Sequence, residues 1–282
     1  MKRNVIRRKT LEPKSAPDSE AESRDGGVQS VDRALSIIEM LAEDDEGYRL
    51  SDLAIRTGLS TSTVHRLLST LESRRFVQFD RTESKWHVGA RSFTVGATFA
   101  RRRNFSAQAV PYLRKLRDLT RETANLAVVD DEFIVVLTRM ESREIMRSLT
   151  QVGGRVAMVA SGVGKAVLAT WSDEDVNAII RHHGMPRLTE KSIVRPSDLF
   201  KELEKVRRQG FAIDDEEACM GLRCIAAVVY NDCSEPLAAI SVSGMTSRLT
   251  DDRLPSLGQI VREVAAELTV ALGGVMPAGK PD

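Results

Sequence analysis

Residues 60–75, STSTVHRLLSTLESRR, place an uneven set of groups around one short amphipathic segment. Val64, Leu67, Leu68 and Leu71 recur at helical spacing and belong on a buried side. The opposite side carries Ser60, Thr61, Ser62, Thr63, His65, Arg66 and Thr70, all hydrogen-bonding groups without a carboxylate among them. Hydroxyls and a guanidinium reach base edges and phosphate oxygens, which an acid would repel. Arg74 and Arg75 follow as groups suited to backbone phosphates. The chemistry of such a face is recognition of duplex DNA.

The neighbouring elements are those that hold such a helix against a duplex. Val31, Leu35, Ile37, Ile38 and Leu41 predict a helix over 31–42, ended by the acidic loop Glu43–Gly47. Ser51 is placed to cap a second helix with Leu53, Ala54 and Thr57 turned inward. Gly58 sits where a tight turn demands positive φ, which glycine meets without steric cost. Leu59 then turns inward, and Ser60 caps the next helix. Ala54 is small where the two helices cross closely, as in a helix-turn-helix. Runs 77–80 and 85–88 alternate around a polar turn and predict a two-stranded wing. Two amphipathic helices around a glycine also form hairpins that never meet nucleic acid. The conjunction of Ala54, Gly58, the acid-free face and the wing points to DNA, with the second helix in a major groove.

A second group of chemistry-bearing residues lies further along. Ser161–Ala166, SGVGKA, resembles a phosphate loop, but Val159 stands at its first glycine and Ala166 has no hydroxyl for Mg²⁺. A dinucleotide fingerprint fails as well, because the third small position is Val167. The spacing of Cys219, Cys224 and Cys233 matches no common zinc pattern, and His182 and His183 are distant in sequence. No metal and no cofactor are expected. No base is spaced to activate a cysteine, and Cys224, inside an apolar run, reads as a small buried hydrophobe. Gly162-Val163-Gly164 leads into a helix whose free N–H groups suit a carboxylate. The same glycines also suit a tight packing turn.

Val110, Leu113, Leu116 and Leu119 predict a helix over 107–122. Strand-type runs at 125–129, 133–138, 145–149, 222–230 and 237–244 alternate unevenly with helical stretches at 162–170, 173–180, 196–209 and 251–272. That pattern implies an α+β domain on a mainly antiparallel sheet. Runs 222–230 and 237–244 flank a short polar turn and form a hairpin.

A chain of 282 residues has room for two domains, and 42% hydrophobic residues exclude wholesale disorder. No window approaches the apolar length of a membrane span, so no membrane partner is expected. The basic N-terminus lacks the apolar stretch of a secretory signal, and three cysteines make no disulfide framework. A cytoplasmic protein with reduced thiols is the expectation. Net charge is only +1, so its distribution carries the information. Lys2, Arg3, Arg7, Arg8 and Lys9 open a basic and polar tail, 1–27, that is too poor in apolar groups to order itself. Arg101–Arg103 with Arg114, Lys115 and Arg117 form a second basic stretch, either a solvated helix face or a phosphate-facing surface.

The stretches VQSVDRALSIIEMLAE, LSDLAIRTGLSTSTVHRLLSTL, KWHVGARSFTVG, ASGVGKAVLA, GFAIDDEEACMGLRCIAA and AAISVSGMTSRLTDD together resemble the IclR family of bacterial transcriptional regulators. The resemblance covers nearly everything from Val28 to Gly274. It implies a winged helix-turn-helix at 28–90, a linker helix at 91–106 and a GAF-like effector-binding domain at 107–282. It also implies a homodimer or dimer of dimers on a double-stranded operator, a small carboxylic-acid effector, no catalytic residue, and repression in preference to activation. The pocket of relatives maps onto Ile145, Ser148, Gly162, Val163, Asp214, Leu222, Cys224, Ser241 and Ser243. On that map the N–H groups of Gly162 and Val163 hold a carboxylate, and the two serines add donors. Asp214 is awkward beside an anion unless it accepts from a ligand hydroxyl or is itself protonated. Val159 replaces a frequent histidine, and Ser148 stands where a larger apolar residue occurs, so no one relative's ligand transfers directly. The rival expectation is a small-molecule enzyme using Cys224 and Asp214 in the same pocket. A third is an architectural DNA protein with a vestigial pocket.

Overall fold

The structure, a computed structural model, describes residues 28–102, 105–142 and 151–277. The tail 1–27, the run 145–149 with Ile145 and Ser148, and the side chains of Arg101–Arg103 lie outside what it describes. The chain divides into two compact units between Gly96 and Ala97.

The first unit contains α1 (Gln29–Leu41), α2 (Leu50–Thr57), α3 (Thr61–Ser73), β1 (Val77–Asp80) and β2 (Lys85–Val88). Ile37, Leu41, Leu53, Val64, Leu68, Val77 and Trp86 form its core. Only the C-terminal half of α1 reaches that core. Val31 and Leu35, two of the apolar residues that marked the helix, are each 54% exposed. Helix α2 starts a residue before the expected cap: Arg49 is its N-cap and makes no side-chain bond, while Ser51 lies in the first turn beside Asp52. Gly58 closes α2 in the left-handed region at φ 65°, as the turn requires. Ser60 Oγ caps α3 by accepting from the Thr63 N–H at 3.2 Å. The wing pairs antiparallel from Val77↔Val88 to Asp80↔Lys85, and Tyr48 adds a bridge to Trp86.

Helix α4 (Ala90–Arg102) runs through the division between the units. The second unit contains α5 (Phe105–Thr120), β3 (Thr123–Asp130), β4 (Phe133–Met140), β5 (Arg155–Ala157), a 3-10 turn (Met158–Ala160), α6 (Gly162–Leu168), α7 (Asp173–His183), α8 (Pro196–Gln209), β6 (Ala212–Asp215), β7 (Leu222–Tyr230), β8 (Pro236–Met245) and α9 (Leu254–Ala271). One sheet in the order β5-β4-β3-β8-β7-β6 joins the strands, and every pairing is antiparallel. Strands β5 and β6 were not expected from sequence; at three and four residues they are too short for periodicity to mark.

The sheet has a core on each face, and strand alternation sorts residues between them. Leu126, Ile225, Ile240 and Val242 pack with α5 and α9. Ala127, Ala226, Val228 and Ala239 pack with α6, α7 and α8. Leu119 of α5, one of the apolar residues that marked the helix, is 55% exposed, and Thr120 takes the buried position at its end.

Candidate nucleic-acid interface and ligand cavity

Helix α3 is anchored by Val64 and Leu68, both fully buried. Thr61, Ser62, His65, Arg66 and Thr70 are exposed, and Thr63 is half-buried. Not all of these hydroxyls are equally available. Ser60 Oγ is taken by the cap and lies 2.8 Å from Thr63 Oγ1, while Thr70 Oγ1 donates to the Arg66 carbonyl at 2.9 Å. Ser62 Oγ also lies 3.0 Å from Ser60 Oγ and His65 Nδ1 3.5 Å from Ser69 Oγ, so Thr61 and Arg66 are the side chains of this face without an internal bond among the described residues. Arg66 has no ion-pair partner among the described residues. Arg74 and Arg75 follow the helix, with Arg75 at φ 61° in the turn into β1, and both are exposed. Arg81, on the turn between the wing strands, is a further exposed cation that sequence reading passed over. In α5, by contrast, Lys115 is paired with Glu267 and Arg117 with Asp118, which favours the solvated-face reading of that stretch.

A cavity of about 100 Å³ opens on the α6 side of the sheet in the second unit. It is smaller than the roughly 150 Å³ apolar cavity that holds a benzene molecule. Ala127, Ile134, Val136, Val156, Val163 and Leu222 supply apolar wall. The polar wall follows from strand register. Asp214 pairs with Cys224 and Cys224 with Ser243, so these three lie in a row across β6, β7 and β8. In the next row Ser241 is opposite Asn125 of β3, whose Nδ2 lies 3.4 Å from both serine hydroxyls. Ser161, Cys219 and Arg223 complete the polar lining.

Of the residues expected here, Val163, Asp214, Leu222, Cys224, Ser241 and Ser243 do come together around this space. Gly162 does not line it. A Cβ there would lie 3.0 Å from the Cys224 carbonyl oxygen, and one at Gly164 would overlap the Met158 backbone at 2.0 Å. Both glycines let α6 sit tightly against its neighbours, the packing role that the sequence left open. Ser161 Oγ accepts from the Gly164 N–H at 3.0 Å, so part of the helix start is already satisfied.

Beside the cavity is a charged cluster that sequence spacing did not mark. Lys165 is fully buried on α6, and its Nζ bonds Glu217 Oε1. The other Glu217 oxygen, Oε2, is buried without a partner among the described residues, and burial pushes that carboxyl upward. Asp214 Oδ1 accepts from the N–H groups of Glu217, at 2.8 Å, and Ala218, at 3.3 Å. Burial, reinforced by the Glu217 charge, raises the Asp214 carboxyl to about 6 against the opposing pull of these bonds and Lys165. Burial, with the Asp214 charge second, pushes the Cys224 thiol up to about 11. It is a protonated thiol at neutral pH and no nucleophile.

His182 and His183 meet no cysteine; both bond Glu132, joining α7 to the turn between β3 and β4. Among the described residues no group of three or more side chains suits a metal ion. No described helix is long and apolar enough to cross a membrane.

Comparison with known proteins gives two family matches: the IclR helix-turn-helix domain over residues 30–81, and the bacterial transcriptional regulator IclR C-terminal domain over residues 97–270. The chain is 41% identical over 251 residues to the acetate operon repressor of Salmonella typhimurium, covering 88% of this chain and 92% of that one. It is 40% identical over 252 residues to the transcriptional repressor IclR of Escherichia coli, covering 89% and 92% respectively. Among solved structures, an IclR homologue from Microbacterium hydrocarbonoxydans complexed with 4-hydroxybenzoate shares the fold. Its TM-score is 0.72 at 22% identity, covering 86% of this chain and 99% of that one.

Proposed function

The chain belongs to the IclR family of bacterial transcriptional regulators, and from that premise we propose that it is a repressor whose grip on its operator responds to a small organic acid. The observation that carries DNA reading is the outward face of α3, where Thr61, Ser62, His65 and Arg66 stand exposed above buried Val64 and Leu68. Residues 28–90 read DNA, the helix that follows links the units, and residues from 107 onward hold the effector. Arg66 reaches a base edge or phosphate, while Arg74, Arg75 and Arg81 contact the backbone. A homodimer or dimer of dimers presents paired α3 helices to a near-palindromic operator. The cytoplasm, where the chromosome is, is its place of work.

The enzyme reading has less support, because Cys224 is held as a thiol and no histidine stands among the described lining residues to activate Cys219 or a serine. We assign the pocket to binding alone. The test begins with selection of duplexes from a random pool by the full-length protein. A two-fold consensus, with affinity changed by a short carboxylic acid, is the expected result. Selection without any consensus, or turnover of the acid by purified protein, would overturn the reading.

A further inference from the structure

Among the described residues, the charges around the cavity do not balance for an incoming anion. The buried cation described beside it is Lys165 on α6, and Glu217, in the turn after β6, already occupies it. Asp214 on β6 adds a second carboxyl, and Glu202 on α8 adds negative charge behind Glu217. The groups facing Asp214 from β7, β8 and β3 are neutral: the Cys224 thiol, the Ser241 and Ser243 hydroxyls and the Asn125 amide. Arg223 also lines the cavity, but its guanidinium bonds Asp215, Asp251 and the Leu249 carbonyl. A carboxylate entering this space would therefore be a further anion beside a lysine already paired, and buried like charges do not remain ionised together.

We propose that the cavity takes a monocarboxylate together with one proton from solvent, and that this proton resides on Asp214. The geometry names the atom. Oδ1 is fixed as an acceptor by two backbone N–H groups, whereas Oδ2 has no protein partner among the described residues. A proton on Oδ2 turns Asp214 from a repelling charge into a donor toward the bound carboxylate, a charge-assisted bond. On binding, Oδ2 gains an O–H bond and a hydronium ion or buffer acid in solvent loses that proton; no other bond changes. The raised carboxyl lowers the cost of that protonation near neutrality. A dicarboxylate brings one charge more than this exchange neutralises, so the site discriminates against it. The inference rests on the effector-site reading given above.

The test is calorimetric titration of the full-length protein with pyruvate, lactate and glyoxylate between about pH 5 and about pH 8. Each titration is repeated in two buffers of different ionisation enthalpy, which counts protons. Above about pH 6 the Kd should rise about tenfold per pH unit, with uptake approaching one proton per acid bound. Asp214→Asn keeps the Oδ1 acceptor and should bind with a Kd independent of pH. Malonate, a dianion of similar length, should bind at least about tenfold more weakly than pyruvate at about pH 7. Binding of any of the three acids with a flat pH profile and no proton uptake overturns the inference while leaving the site intact. Malonate binding as tightly as pyruvate also overturns it. Failure of all three acids to bind at any pH removes the effector-site reading, and this inference with it. Should Asp214→Asn not fold, the wild-type proton count alone decides.

Discussion

The outward face of α3 and the wall of the cavity use the same short polar side chains under opposite conditions. On α3, hydroxyls and Arg66 stand in water, and the guanidinium has no acid to hold it among the described residues. In the cavity, Asn125, Ser241 and Asp214 are buried, and the neighbouring cation is fully enclosed and paired. Exposed charge acts through long-range attraction and is screened by added salt. Enclosed charge acts through desolvation, so its lever is protonation. One surface is thus tuned by ionic strength, the other by pH.

Four substitutions sharpen or break that contrast. The largest effect is expected from Lys165→Met, which strands Glu217 as a buried, unpaired carboxylate. Urea denaturation should show a loss of about 3–5 kcal/mol; a loss below about 1 kcal/mol would mean that the enclosed pair is not held as described. Next is Asp214→Asn. A carboxyl raised in the folded state favours folding while protonated, and that advantage is lost as pH climbs from about 4 through about 6. The amide variant should accordingly be more stable than wild type by up to about 3 kcal/mol near pH 8, with the gap closing near pH 4. A gap that is constant with pH contradicts the enclosed-carboxyl account.

Arg66→Ala should weaken operator binding by about 1–3 kcal/mol in fluorescence anisotropy. Pyruvate affinity and urea stability should stay as they were, because the side chain touches neither. Equal loss on operator and random duplex would move Arg66 from base reading to phosphate contact. The smallest effect belongs to Ser60→Ala, which removes the α3 cap and should cost about 1 kcal/mol of stability. If that variant instead loses operator affinity at unchanged stability, the Ser60 hydroxyl reads DNA rather than capping the helix.

The two units also differ in how far they could be read in advance. In the first, helix-period apolar residues, Gly58 and the alternating wing are local signals, and they located α2, α3 and the hairpin. Periodicity marked α1 but could not say which half of it reaches the core, and Val31 and Leu35 lie in the exposed half. In the second unit, α8 and β7 have the bounds expected of them, since each is long and strongly patterned. Cavity residues such as Asp214 and Ser243 were reached through family likeness, because strand register, not spacing along the chain, brings them together. The Lys165–Glu217 pair spans 52 positions and had no local signal beyond a lysine among small apolar residues. Asn125, alone among apolar neighbours in β3, was the visible hint of a polar row that went unused.

On β8, Ser241 and Ser243 face the cavity, while Ile240 and Val242 between and before them pack with α5 and α9. Descendants of this gene can therefore exchange Ser241 and Ser243 and acquire taste for a new metabolite, while Ile240 and Val242, which keep the strand in place, go unaltered. A scaffold wired in this way lets chemical preference drift quickly across a lineage at little risk to folding.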